Sequence, residues 1–90
     1  MALSVNDRIK RLILERLDVS TPANFDDSTP LFKTGVAMDS FAAVELITLI
    51  ESDFAIQFDA QDITAEHFND IASLGRLVAG YVGRPRSGGA

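Results

Sequence analysis

The 90-residue sequence contains no cysteine and only one histidine. Without cysteine the chain can form neither a disulfide bond nor a thiol nucleophile, and one histidine cannot supply a Cys/His metal site. Any thiol chemistry must therefore come from a group that is attached to the protein. The length predicts one domain, over residues 1–83, which is too small to enclose a multi-part active site.

Basic residues are also few. Eight Lys and Arg stand against 13 Asp and Glu, for a formal net charge of -5 and a pI near 4.5. Because binding to nucleic-acid phosphates needs a clustered basic surface, this balance argues against a nucleic-acid partner. Partner proteins with basic patches fit better.

Long hydrophobic runs are absent as well. No apolar run approaches the roughly 20 residues that span a bilayer, and residues 1–4 lack the regions of a signal peptide. We therefore expect a soluble, cytoplasmic monomer with no membrane partner. Apolar residues make up 47% of the sequence, enough for a small core.

The first predicted helix begins at Ser4, because a serine followed by Asp7 is typical of a helix start. The apolar residues that follow recur at a period near 3.6. They are Val5, Ile9, Leu12, Ile13 and Leu17. We interpret the charged residues of the opposite face as a solvated exterior. These are Arg8, Lys10, Arg11 and Glu15.

The second predicted helix begins at Ser40, with Asp39 as its cap. Its expected buried stripe consists of Ala43, Leu46, Ile47, Ile50 and Phe54, widened by Leu49. The other face mixes apolar and acidic residues, which suits a transient protein partner that has basic and apolar groups. That face carries Phe41, Val44, Glu45, Thr48 and Ser52.

The last predicted helix is capped by Asp70 and is apolar at helical spacing. Its stripe is Ile71, Leu74, Leu77, Val78 and Tyr81. Before it, residues 62–68 fit one or two short helical turns capped by Thr64 or Asp62. Residues 55–59 form an extended connection whose Ile56 and Phe58 reach the core. His67 is expected at the surface or partly packed, and residues 84–90 are expected to be a flexible tail.

Residues 18–38 have no periodicity and predict a long loop. Its apolar residues Phe25, Leu31 and Phe32 predict that the loop packs over the core and is ordered up to Ser40. The fold class is therefore all-α. We expect an antiparallel four-helix bundle, with three main helices, one short helix and a long loop between helices 1 and 2.

Three classes of function could use the Ser40 hydroxyl. A nucleophilic enzyme would need a base and an orienting group, yet His67 is the sole histidine and no Gly-x-Ser-x-Gly elbow surrounds Ser40. A plain helical interaction module needs no role for Ser40, since serine is common at helix starts. In a carrier the serine is modified, and the start of a helix favours an anion such as a phosphodiester.

Motifs around Ser40 separate these classes. They are Leu31-Phe32, Gly35, Met38-Asp39-Ser40-Phe41 and Val44-Glu45-Leu46, then Glu51, Phe54 and Ile56, followed by Phe68 and the helix at 71–82. In this pattern, from about residue 4 to residue 82, the sequence resembles the acyl and peptidyl carrier protein family.

The resemblance implies that Ser40 is the attachment point of 4'-phosphopantetheine, transferred from coenzyme A by a separate phosphopantetheinyl transferase that uses magnesium. The thiol of this arm would carry an acyl or aminoacyl thioester to loading enzymes, synthases and transferases, and the carrier itself would neither catalyse nor bind a metal. Asp39 would cap the helix and meet the transferase. Residues implied in partner recognition are Met38, Phe41, Val44, Glu45 and Glu51.

Departures from the family pattern bear on the subtype. Ala42 and Ala43 stand where many fatty-acid carriers have a more polar or acidic pair. Residues 35–38, which lead up to Asp39-Ser40, form a longer segment than the family pattern has there. These features favour a free-standing carrier in polyketide, nonribosomal peptide or specialised acyl biosynthesis, including aminoacyl carriers of the D-alanine type. The alternatives are a fatty-acid synthesis carrier, or an interaction module without a prosthetic group.

Overall fold

The computed structural model describes residues 3–32, 35–36 and 38–83. Within these ranges the chain forms three α-helices, α1 (Val5–Arg16), α2 (Ser40–Phe54) and α3 (Ile71–Val82), and a short 3-10 helix at Ala60–Asp62. No strand is present in the same ranges, so the all-α prediction is confirmed. The predicted tail at 84–90 lies outside the described residues.

Each of the three α-helices begins at a side-chain cap, as predicted. Oxygen atoms of Ser4, Asp39 and Asp70 each accept a hydrogen bond from the backbone amide three residues later, at 3.1, 2.8 and 2.8 Å. Such a cap satisfies an amide that the helix itself leaves unpaired, and its loss costs about 1 kcal/mol.

The short helical turns expected at residues 62–68 take the form of a 3-10 helix and a single turn. A 3-10 helix at Ala60–Asp62 is followed by a single turn in which the Phe68 amide donates to the Thr64 carbonyl at 3.1 Å. The Thr64 hydroxyl accepts from the His67 amide at 3.2 Å, which confirms Thr64 as the cap of this turn. His67 is partly buried, and its Nδ1 lies 2.7 Å from the Asp62 carbonyl oxygen.

The core lies where α1 packs against both α2 and α3. The predicted α1 stripe is buried, apart from Val5, which is partly buried. In α2 the buried positions are Ala42, Leu46 and Ile50, which recur every four residues. Ala43 is only partly buried, so the predicted α2 stripe is wrong by one position at its start. Ile56 and Phe58 are buried, as predicted.

The charged face of α1 is not simply a solvated exterior. The Arg8 guanidinium donates to the Asp53 carboxylate at 2.8 Å and to the Asp53 carbonyl at 2.9 Å, and its Cζ lies 4.0 Å from the centre of the Phe54 ring. These contacts tie α1 to the last turn of α2. Arg11 and Glu15 do form the expected surface pair, at 3.0 Å.

The loop between α1 and α2 is anchored to the core at the predicted residues. Leu31 is fully buried, and Phe25 and Phe32 are packed against the core. The backbone of Leu31 accepts from the Met38 amide at 2.8 Å and donates to the Asn69 carbonyl at 2.9 Å. The loop is therefore bonded both to the residues before α2 and to the residues before α3.

Asp27 joins this loop to two helices. Its carboxylate accepts from the Asn6 side chain at 2.9 Å and lies 3.1 Å from the Lys10 ammonium, both on α1. Its carbonyl accepts from the Ala72 amide in the first turn of α3 at 2.9 Å. The hydrogen bonds from Asn6 and Lys10 hold the pKa of Asp27 below its ordinary value.

We expect this contact to make stability depend on pH at acid values. Because the folded pKa of Asp27 is depressed, its contribution is present above the unfolded pKa of about 4 and is lost as pH falls through the lower folded pKa. Its side chain is 42% exposed, and solvent screening keeps the contribution below about 1 kcal/mol.

The measurement is the unfolding free energy from urea titrations between about pH 6 and about pH 2. In the wild type the unfolding free energy should decrease as pH is lowered, and Asp27→Asn should make part of this decrease smaller. Asp18→Asn, at an exposed position after α1, is the matched control. It should leave the decrease of the unfolding free energy with pH unchanged. Equal curves for wild type and Asp27→Asn would contradict the prediction.

None of the helices in the described ranges combines the length and the apolarity that crossing a bilayer requires.

Candidate functional site

Ser40 is the first residue of α2, and it is exposed. Asp39 precedes it in an extended conformation, with φ -94° and ψ -179°, and its carboxylate caps the helix through the Ala42 amide. Among the described residues no hydrogen bond engages the Ser40 hydroxyl. The Ser40 hydroxyl is therefore accessible to an external reagent. It is not needed as the helix cap, because Asp39 supplies the cap.

Buried residues on both sides hold this helix start in place. Met38 is 5% exposed and Ala42 is 7% exposed, so the chain is packed into the core two residues before Ser40 and again two residues after it. Val36 is also buried, and its amide donates to the Pro30 carbonyl at 3.1 Å. Ser40 is therefore exposed on a helix start that is packed into the core on both sides.

Phe41, Val44 and Glu45 lie on the exposed side of α2. Phe41 is 78% exposed and Val44 is 62% exposed, although both are large and apolar. Glu45 is exposed beside them. These three residues of the predicted recognition set are available to a partner.

The other two predicted recognition residues are buried or engaged within the molecule. Met38 is a core residue, so its side chain does not offer a contact surface. Glu51 is partly buried, and its Oε2 accepts from the Phe58 amide at 2.9 Å. The Glu51 carbonyl also accepts from Ile56 where Ala55 turns into the left-handed region. Glu51 thus shapes the turn after α2.

Comparison with known proteins identifies the family of this chain. A family model described as the phosphopantetheine attachment site matches residues 7–78. The chain belongs to this family of carrier proteins. It is similar to the acyl carrier proteins of Buchnera aphidicola subsp. Acyrthosiphon pisum strains Tuc7, 5A and APS. Each is 32% identical over 68 residues, which cover 76% of this chain and 80% of the relative.

A covalently attached 4'-phosphopantetheine is accordingly the prosthetic group of this carrier protein. The residues at the start of α2 fit such a group. Ser40 offers a free hydroxyl, and the first turn of a helix stabilises the negative charge of a phosphodiester through its amides and its dipole. No group of three or more His, Cys, Asp or Glu side chains in the described part of this carrier protein could hold a metal ion.

Tyr81 has contacts in this carrier protein that the sequence pattern did not indicate. Its hydroxyl donates to the Asp62 carboxylate at 2.5 Å and accepts from the Asp59 amide at 2.9 Å. Its ring packs edge-on against Phe58 with centroids 5.3 Å apart. Burial, and then the hydrogen bond to Asp62, raise the pKa of Tyr81. The helical period placed Tyr81 on the apolar stripe. It could not predict that the Tyr81 hydroxyl bonds to Asp62 and Asp59, because these residues are distant in the sequence.

Proposed function

We propose that Ser40 is the attachment point of 4'-phosphopantetheine and that this protein carries acyl intermediates as thioesters on the arm. The observation that carries the proposal is the exposed, unengaged Ser40 hydroxyl in the first turn of α2. When attached, the group supplies the terminal thiol that the cysteine-free chain lacks.

Other serines within the matched region fit the group less well. The Ser28 hydroxyl donates to Asp26 at 2.8 Å, and Ser73 is partly buried and accepts from Arg76. Ser52 is exposed but lies near the carboxyl end of α2, where the helix dipole opposes a negative charge. Ser20 is exposed in the loop, away from any helix start.

Loading requires a separate phosphopantetheinyl transferase. Ser40 Oγ loses its proton to the transferase and forms a new bond to phosphorus, while coenzyme A releases its nucleotide part as the leaving group. The carrier contributes the hydroxyl and its fixed position. We propose that it has no catalysis of its own, since the chain has a single histidine, His67, and no cysteine.

The name of the three relatives, acyl carrier protein, supports an acyl cargo, with an aminoacyl cargo as the alternative. For the pathway we propose polyketide, nonribosomal peptide or specialised acyl biosynthesis rather than fatty-acid synthesis. The support is Ala42, which stands where many fatty-acid carriers have a more polar or acidic residue. In this chain Ala42 is 7% exposed. An acidic residue at that position would place an unpaired carboxylate in the core, which is costly, so the α2 packing of this carrier requires a small apolar residue there.

Incubation of the purified chain with coenzyme A and a broad-specificity phosphopantetheinyl transferase tests the proposal. We expect intact-mass spectrometry to show the gain of one phosphopantetheine, and peptide fragmentation to place it on Ser40. A reaction without coenzyme A is the control and should show no gain. Absence of any gain with several such transferases would overturn the proposed attachment.

A further inference from the structure

An open groove lies between α1 and the last turn of α2. Its volume is about 490 Å³, and its lining includes the apolar side chains of Leu3 and Leu12. Asp53, near the end of α2, lines the groove as well and follows Ser40 by 13 residues. At about 1.5 Å per residue, the groove lies about 20 Å from Ser40 along the helix axis. A molecule bound in the groove would therefore leave Ser40 accessible.

Three arginines of α1 also line this groove, and their hydrogen-bond donors are used to different extents. Arg8 is engaged by the Asp53 carboxylate at 2.8 Å. Arg11 uses its Nε atom for Glu15 at 3.0 Å, and no described residue pairs with its terminal nitrogens. No carboxylate of the described residues pairs with Arg16. Because a guanidinium presents five N–H donors in a planar fork, Arg11 and Arg16 keep donors that match an incoming carboxylate.

The charge of α1 is opposite to that of α2. The α1 helix has four basic and two acidic residues, whereas α2 has three acidic residues and no Lys or Arg. The chain as a whole has a formal net charge of -5. A basic groove on an acidic protein attracts a negatively charged partner and repels the basic surfaces that α2 attracts. The two helices therefore suit different partners.

The shape and the chemistry of the groove favour a peptide helix as its occupant. Its apolar lining needs an apolar side chain, and Arg11 and Arg16 need carboxylates. An amphipathic helix presents both on one face, at the spacing i, i+3 and i+4. Leu14, three residues after Arg11 on α1, is 54% exposed and adds apolar surface beside it. A lipid bilayer offers anions as well, but its flat surface does not fill a groove.

We propose that this groove is a docking site for an acidic amphipathic helix of a partner protein, which holds the carrier by α1 while Ser40 stays open to the enzymes that act on it. An apolar side chain of that helix enters the groove beside Leu3 and Leu12, and two of its carboxylates pair with Arg11 and Arg16. The docking site does not depend on the attachment at Ser40.

A random library of displayed peptides about 16 residues long, which is enough for a helix, tests the proposal. The library is first depleted on the double variant Arg11→Gln, Arg16→Gln, which removes peptides that bind elsewhere. It is then selected on the wild-type chain at about 50 mM NaCl. The selected peptides should carry acidic and apolar residues at helical spacing. They should bind the wild type about tenfold more tightly than the double variant, and this difference should shrink at about 500 mM NaCl, because salt screens exposed ion pairs.

Arg76→Gln is the matched control, since Arg76 is an exposed arginine on α3 that does not line the groove. This variant should bind the selected peptides as the wild type does. Both the control and the double variant should keep the wild-type thermal midpoint, because each changed residue is exposed. A saturating concentration of a selected peptide should leave the rate of Ser40 loading unchanged.

The docking site would be overturned if no peptide survived the selection, if the survivors lacked acidic residues, or if Arg76→Gln weakened their binding as much as the double variant does. Vesicles of anionic phospholipid that pellet the wild type but not the double variant, in the absence of any peptide binding, would assign the basic face to a membrane instead. Loading that fails only when the peptide is present would place the peptide over Ser40 and overturn the site. Loading that fails without peptide would overturn the attachment at Ser40 alone, so the two failures are distinguishable.

Discussion

Ser40→Ala should abolish phosphopantetheine attachment completely and leave the helical fold in place. The variant lacks the oxygen that bonds to phosphorus. The fold survives because Asp39, not Ser40, caps α2, because Ser40 is exposed, and because alanine is the best helix former. Surface substitutions of this kind stay within about 0.5 kcal/mol of the wild-type stability. Intact-mass spectrometry after incubation with coenzyme A and transferase measures the loss.

Two further variants give this result its meaning. Ser52→Ala alters the other exposed serine of α2 and should load as the wild type does. Asp39→Ala keeps the hydroxyl but removes the cap, so it should cost about 1 kcal/mol of stability and still allow loading. A mass gain that persists in Ser40→Ala would move the attachment to another residue. Loss of the helical circular-dichroism signal in that variant would show that Ser40 is structural.

Gly35→Ala should be strongly destabilising. Gly35 has φ +63°, and a Cβ there would lie 2.4 Å from the Pro30 carbonyl oxygen and 2.7 Å from Thr29 Cγ2. The same carbonyl accepts from Val36 at 3.1 Å, so it cannot retreat without breaking that bond. The left-handed conformation costs alanine about 1–2 kcal/mol, and displacement of the backbone adds to it, for a total of about 2–4 kcal/mol.

Gly80→Ala is the matched control for Gly35→Ala. Gly80 lies in α3, and a Cβ there meets no atom within 4 Å. Alanine should therefore stabilise the helix by about 0.5–1 kcal/mol, the opposite sign. Thermal and urea unfolding of the two variants measure both changes. A Gly35→Ala chain as stable as the wild type would show that the loop before α2 adopts another path in solution.

Loss of the Gly35 turn should also slow the modification of Ser40. The turn brings Val36 and Met38 into the core, and these residues position the start of α2. We therefore expect slower loading of Gly35→Ala even at temperatures where it remains folded. Gly80→Ala should load at the wild-type rate.

Local features of this chain were predictable because their causes are local in sequence. The caps at Ser4, Asp39 and Asp70 each act on an amide three residues away. The apolar stripe of α1 follows from the helical period alone. The loop anchor Leu31 was recognisable as an apolar residue in a polar stretch.

Contacts between distant residues were not predictable in this way. Gly75 reads from the sequence as a helix-weakening residue, yet in the fold a Cβ there would lie 1.7 Å from Asn6 Oδ1. Ala43 was expected in the core, but Ala42 is buried instead and Ala43 only partly. A periodic pattern indicates that one face of a helix is buried, but it does not give the exact orientation of that face.

The sequence by itself determined that the chain is helical, where α2 begins, and that Ser40 stands at its first turn behind a capping Asp39, since propensity and capping act over a few residues. Only the tertiary structure decided which neighbours of Ser40 a partner can reach. Met38 turns into the core, and Glu51 is held by Phe58. Phe41 and Val44 stay exposed because no other described element packs over that side of α2. Burial depends on contacts between segments far apart in the chain, which no local pattern specifies.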